Sequence, residues 1–125
     1  MTTPDDGRPA TLDPSALQEL RSFSDDGGPD LLGELIDIFL DDAPPRLDAL
    51  RAAVQAGDAT GTREAAHALK GACAQLGALF LSQLCKQLEF MGREGQLSGA
   101  EPLVEECFFE FDHVKAALLA EKQGG

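Results

Sequence analysis

The sequence predicts an all-α protein: an antiparallel up-down four-helix bundle with one or two short additional helices at its N-terminal end. Three observations carry this. Apolar residues recur at three-and-four spacing along four long segments, and nothing alternates with period two. Leucine and alanine dominate, with neither tryptophan nor tyrosine, which favours helices over strands. The connections are short and built from glycine, proline and aspartate; the one Asp-Gly between apolar segments, Asp26-Gly27, joins two helical patterns rather than two strands. A length of 125 residues, 43% of them hydrophobic, suits one compact domain with a real core and excludes disorder by composition.

Taken in order, residues 1–11 carry Pro4, Gly7 and Pro9 among polar neighbours and read as a disordered arm. Asp13-Pro14 starts a short helix, with aspartate as N-cap and proline in the first turn; Leu17 and Leu20 share its apolar side. Asp25-Asp26-Gly27-Gly28-Pro29 forms the next loop. A second helix starts near Asp30. Its apolar set, Leu31, Leu32, Leu35, Ile36, Ile38, Phe39 and Leu40, is too broad for one buried face. Part of it covers a second surface, by packing on the short first helix or as a docking patch of which Leu32, Ile36 and Phe39 are the candidates. Pro44-Pro45 breaks or kinks this helix, since neither ring nitrogen donates. A third segment resumes with Leu47, Leu50 and Val54 inward, and Gly57-Asp58 separates it from the next helix. That helix runs to Gln75 or Leu76 and stops at Gly77; the following one carries Leu81, Leu84, Cys85, Leu88 and Met91. Residues 92–99 are a loop with three glycines. The last helix holds Leu103, Val104, Cys107, Phe108, Phe111, Val114 and Leu118, and residues 121–125 are a frayed tail. The bundle thus covers residues 12–120, with no repeat and no second domain.

The formal net charge of −12 argues against nucleic acid and anionic membrane as partners, since both require a basic face, and it favours a soluble monomer. No run approaches a membrane span, residues 1–11 lack the apolar core of a signal peptide, and the default compartment is the cytoplasm. Cys73, Cys85 and Cys107 are odd in number, widely spaced, and each lies on an apolar stripe; they read as buried thiols, with no zinc or disulfide spacing.

One helix presents chemistry. Ala66, Leu69, Cys73 and Leu76 form its apolar stripe. At about 100° per residue, His67 points roughly 140° away from the middle of that stripe. Lys70, Gly71 and Ala74 stand on the same side as His67, one and two turns further on, and Arg63 one turn before. An imidazole beside an ammonium, on a strip kept bare by Gly71 and Ala74, is a surface that another protein can approach closely. His113 also points away from its stripe, but no such pattern surrounds it.

His67-Ala68-Leu69-Lys70-Gly71, with Gly77 six residues later, resembles the H-x-L-K-G-x-x-x-x-x-G signature of histidine-containing phosphotransfer (HPt) domains. Leu47-x-x-Leu50-Arg51 with Ala56-Gly57-Asp58 upstream, and Leu84-Cys85-x-x-Leu88-Glu89 downstream, are also similar to the family, so that the resemblance covers roughly residues 17–118. Ala72-Cys73 stands where many members have Ser-Ser, and Glu89, 22 residues after the histidine, where many have a glutamine that can bond the imidazole. The resemblance implies a phosphorelay intermediate, not an enzyme with its own ATP site or autokinase activity. The family's pattern carries His67 as phosphoacceptor, preferably at Nε2, Lys70 as support for the phosphate, Gly71 and Ala74 as the close-approach strip, and Glu89 as a supporting group that either steadies the phosphohistidine or repels it. Arg63 joins Leu32, Ile36 and Phe39 as candidate docking residues. The implied partners are receiver domains of a hybrid sensor kinase, of a response regulator, or of both. No cofactor is implied for this chain; the divalent metal, magnesium, belongs to the receiver.

Two other classes compete. Glu64-x-x-His67 and Glu110-x-x-His113 are both Glu-x-x-His on separate helices, the pattern of di-metal bundles, with Glu34 and Glu89 as further carboxylates. Such ligands must point into the core, and both histidines point out of it. A helical interaction module with a chemically idle histidine is the other.

Overall fold

The computed structural model describes residues 9–23 and 30–124, with side chains described as far as Lys122. It has five helices: α1 (Pro14–Ser22), α2 (Leu31–Gln55), α3 (Ala59–Leu76), α4 (Leu79–Glu94) and α5 (Ala100–Gly124). The last four form the bundle. Each packs on its chain neighbours, α5 closes the ring against α2, and α1 lies on α2 and α3. Cross-links give the antiparallel sense: along α2 and α5, Arg51 pairs with Glu105 at 2.9 Å, while Asp37 pairs with Lys122 at 2.5 Å. The expected loop at 25–29 and most of the expected arm at 1–11 lie outside the described residues. Among the described residues, no helix is long and apolar enough to cross a membrane.

The helix starts follow from their caps. Asp13 accepts from the Ser15 amide at 3.0 Å, with Pro14 opening the first turn; Asp30 accepts from Gly33 at 3.0 Å and Asp58 from Gly61 at 2.9 Å. Each cap contributes about 1 kcal/mol by occupying an amide that the helix leaves unbonded. α3 ends at Gly77, whose φ of 69° is left-handed. A side chain there would also strike α1, since a Cβ would lie 2.8 Å from that of Asp13 and 2.9 Å from that of Ala16. The Asp13 amide donates to the Gly77 carbonyl at 2.8 Å, and Phe80 N–H donates to the Ala10 carbonyl at 3.1 Å, tying the chain before α1 to the α3–α4 turn.

The core is built from the predicted stripes. Leu69, Cys73, Leu76, Leu81, Leu84, Leu88, Val104, Val114 and Leu118 are all at most 2% exposed, and burying one such leucine is worth about 1.5–3 kcal/mol. Cys73, Cys85 and Cys107 are free and fully buried. They come from three helices, and Cys73 and Cys107 both neighbour Cys85. Those neighbours, and burial, push its pKa up.

The structure corrects four expectations. Pro44 and Pro45 lie inside α2 without ending it. The buried stripe Ile36, Phe39, Ala43, Leu47, Leu50 and Val54 runs past them unbroken, with the prolines themselves off the core. The two carbonyls that lose a donor belong to Leu40, half-buried, and Asp41, exposed, where water can bond them. Leu32, Ile36 and Phe39 are 4%, 0% and 3% exposed and are core, not a docking patch. α1 and the long α5 cover them, and Phe39 packs on Phe111 with ring centroids 5.9 Å apart; the exposed apolar residue of this stretch is Ile38. The chain past residue 120 is not frayed as far as Gly124: it is the last turn of α5, with Glu121 2.6 Å from Arg21 and Lys122 paired to Asp37. Gly92 belongs to α4 and not to the following loop, because it is a point of helix contact described below.

Candidate functional site

His67 sits mid-way along α3 with its side chain 69% exposed. Its neighbours on the outer strip are as the spacing predicts: Arg63, Gly71 and Ala74 are exposed and Lys70 is half-buried. A Cβ at Gly71 would meet nothing within 4 Å, so this glycine leaves open space beside the imidazole.

The partner of His67 comes from α4. Glu89, 7% exposed, directs Oε2 to His67 Nδ1 at 2.8 Å and Oε1 to Lys70 Nζ at 2.6 Å. Arg93, one turn further along α4, stands 3.6 Å from Oε2. The Lys70 ammonium first, and then the His67 ring, hold the Glu89 carboxyl below the usual carboxylate range against the opposing effect of burial. Glu89 is therefore ionised at neutral pH and can only accept. Neutral His67 must then carry its proton on Nδ1, which donates to Glu89, and leave the Nε2 lone pair free.

Gly92 explains why the two helices come close enough for this. A Cβ there would lie 2.7 Å from both the Ala59 carbonyl oxygen and the Arg63 amide nitrogen, and 3.0 Å from Arg63 Cα. The backbones of α3 and α4 thus touch at Arg63 and Gly92. One turn from this contact, in opposite chain directions, the next residues to meet are His67 and Glu89.

The structure thus joins His67, Lys70 and Glu89, with Gly71, Ala74 and Arg63 around them. Leu32, Ile36 and Phe39 contribute nothing to this surface. Sequence reasoning missed Arg93 and Gly92. The Glu89-x-x-x-Arg93 spacing was a usable signal for the first; nothing local marked the second. The carboxylates proposed with a di-metal centre do not converge: Glu34 and Glu64 are exposed, and both histidine side chains are 69% exposed on the outside of the bundle. Among the described residues, no group of three or more His, Cys, Asp or Glu side chains is placed to hold a metal ion.

The chain is 37% identical over 79 residues to the sensor protein TorS of Escherichia coli (strain K12), a match covering 63% of this chain and 8% of that protein. It is 26% identical over 106 residues to histidine-containing phosphotransfer protein 2 of Arabidopsis thaliana, covering 80% of this chain and 66% of that one. The chain therefore spans less than two thirds of the length of either relative. Among solved structures, histidine-containing phosphotransfer protein B (HptB) from Pseudomonas aeruginosa PAO1 superposes with a TM-score of 0.83 at 36% identity, covering 92% of this chain and 96% of that one. The maize histidine-containing phosphotransfer protein ZmHP2 shares the fold, with a TM-score of 0.78 at 24% identity over 91% of this chain and 86% of that one. The Hpt domain model matches residues 34–123, most of the described bundle, and the chain belongs to the Hpt domain family.

Proposed function

We propose that this chain is a phosphorelay intermediate that accepts a phosphoryl group on His67 from the aspartate of one receiver domain and passes it to the aspartate of another. The observation that carries this reading is the exposed imidazole whose Nδ1 is engaged by Glu89, so that Nε2 faces solvent as the nucleophile.

In the accepting step the Nε2 lone pair attacks phosphorus of the aspartyl phosphate. The N–P bond forms as the P–O bond to the aspartate breaks, and its electron pair leaves with the carboxylate. The transition state is loose, so positioning and cations supply the catalysis. The ring gains positive character, which the Glu89 carboxylate counters through Nδ1–H. Lys70 is held by Glu89 one turn from His67, from where its ammonium can turn to the equatorial phosphoryl oxygens. Arg63 and Arg93 add positive charge at the rim. Gly71 and Ala74 let the receiver's loops reach the ring. Donation runs the same step in reverse. The magnesium belongs to the receiver, which is the partner class of this surface: a hybrid sensor kinase, a response regulator, or both. The chain acts as a cytoplasmic monomer, with no ATP site and no autokinase activity of its own.

The test is phosphotransfer from a phosphorylated receiver domain with magnesium. Acid-labile, alkali-stable label on the wild type and none on His67→Gln is the expected result. An unlabelled, well-folded wild type across a broad receiver panel would sink the proposal in favour of an inert helical interaction module.

A further inference from the structure

A second site lies on a different pair of helices. α4 and α5 enclose a groove of about 230 Å³ lined by Phe80, Glu106, Phe109, Glu110 and His113, none of which belongs to the His67 cluster. Its floor is unusual. The Glu110 side chain is only 5% exposed, and its one described partner is His113 Nδ1, 3.4 Å from Oε1. Oε2 is buried with no hydrogen-bond partner among the described residues. A carboxylate oxygen without a donor is costly in a protein interior, so Glu110 has an unmet demand for a hydrogen-bond donor, preferably a cationic one, which a turn of its side chain into the groove would meet.

The walls narrow the choice. Phe109 is 70% exposed, an aromatic face held out beside the carboxylate, and Glu106, one turn from Glu110 on the same side of α5, adds a second negative charge at the mouth. A divalent metal does not fit, because the described carboxylates and imidazole do not form a ligand set. Pockets for drug-sized ligands measure roughly 300–1,000 Å³, so this smaller groove suits one long side chain instead. An ammonium would meet the charge and the ring only as a compact, strongly hydrated point cation, without a planar fork or a face to stack. A guanidinium has both: its planar fork donates to the buried carboxylate, and its face stacks on an aromatic ring. The formal charge of −12 favours approach by basic surfaces.

We propose that the α4–α5 groove around Glu110 is a docking site for an arginine side chain presented by a partner protein. The probe is a capped Ala-Arg-Arg-Ala peptide, with citrulline and lysine counterparts as controls, titrated into the ¹⁵N-labelled protein. The arginine peptide produces saturable amide shifts at Phe80, Phe109, Glu110 and His113; the citrulline peptide does not, and the lysine peptide binds more weakly. Glu110→Gln binds about tenfold more weakly, the loss of one charge-assisted hydrogen bond. Phe109→Ala, at an exposed position that the fold does not use, also weakens binding. Both variants still accept phosphoryl groups at His67, which separates this site from the relay reading. Shifts spread without saturation over the whole acidic surface, equal binding of the lysine peptide, or wild-type binding by both variants would overturn the assignment.

Discussion

The Nδ1 nitrogen of His67 stands 2.8 Å from Oε2 of Glu89, a residue 22 positions later on the antiparallel helix α4. This contact fixes the ring's proton on the inner nitrogen and turns the other outward. It also puts a full negative charge, rather than an amide dipole, behind the imidazole.

Replacing Glu89 separates these effects. Glu89→Gln keeps an acceptor for Nδ1–H but loses the charge that holds Lys70, so transfer slows while the site stays assembled. Glu89→Ala removes ring orientation as well, and the rate falls about tenfold or more below wild type. Single-turnover transfer from a phosphorylated receiver measures both. Equal rates for wild type and Glu89→Ala would remove Glu89 from the mechanism.

Stability should respond to the same carboxylate. Its folded-state pKa is lowered, so the unfolded chain takes up the proton first on acidification. The contribution is complete above the unfolded carboxylate value of about 4.3 and is lost as pH falls below it through the folded value. Urea denaturation at several pH values should show the wild type losing its advantage over Glu89→Gln in that acid window. A gap that stays constant through the window would contradict the assignment.

Gly92→Ala drives a methyl into the backbone of α3 at Ala59 and Arg63. Neither neighbour is a flexible side-chain tip, so the helices must separate, at a cost of about 1–3 kcal/mol. Because His67 and Glu89 meet one turn away, transfer should fall along with the denaturation midpoint. An unchanged midpoint would mean that the two backbones are not in contact there.

Gly71 makes the opposite prediction. With open space around its Cα, Gly71→Ala should raise stability by about 0.5–1 kcal/mol, the usual gain over glycine inside a helix. Gly71→Leu should also fold well, yet transfer poorly, because its side chain stands where the receiver must approach. Thermal melts and transfer rates, measured side by side, test this split.

Much of this was legible in the sequence, for identifiable reasons. The outward direction of His67, Lys70 and Gly71 follows from helical periodicity alone, and the convergence of the four stripes follows from the short loops. Periodicity does not say which neighbour covers a broad apolar face. Leu32, Ile36 and Phe39 read as a docking patch because their cover comes from other elements, α1 and the long α5, whose Phe111 packs on Phe39. The proline pair misled because its local cost was visible and the continuous buried stripe beneath it was not. Glu89 was found only by resemblance: a contact between two helices has no spacing rule within either one.

The three core thiols carry a consequence for handling this protein. Cys73, Cys85 and Cys107 are fully buried on three different helices, so no reagent can alkylate them until those helices part. Their labelling rate is then a clock for opening of the bundle, read by mass on the native cysteines. A receiver or an arginine peptide that binds the closed state would slow that clock in proportion to its occupancy.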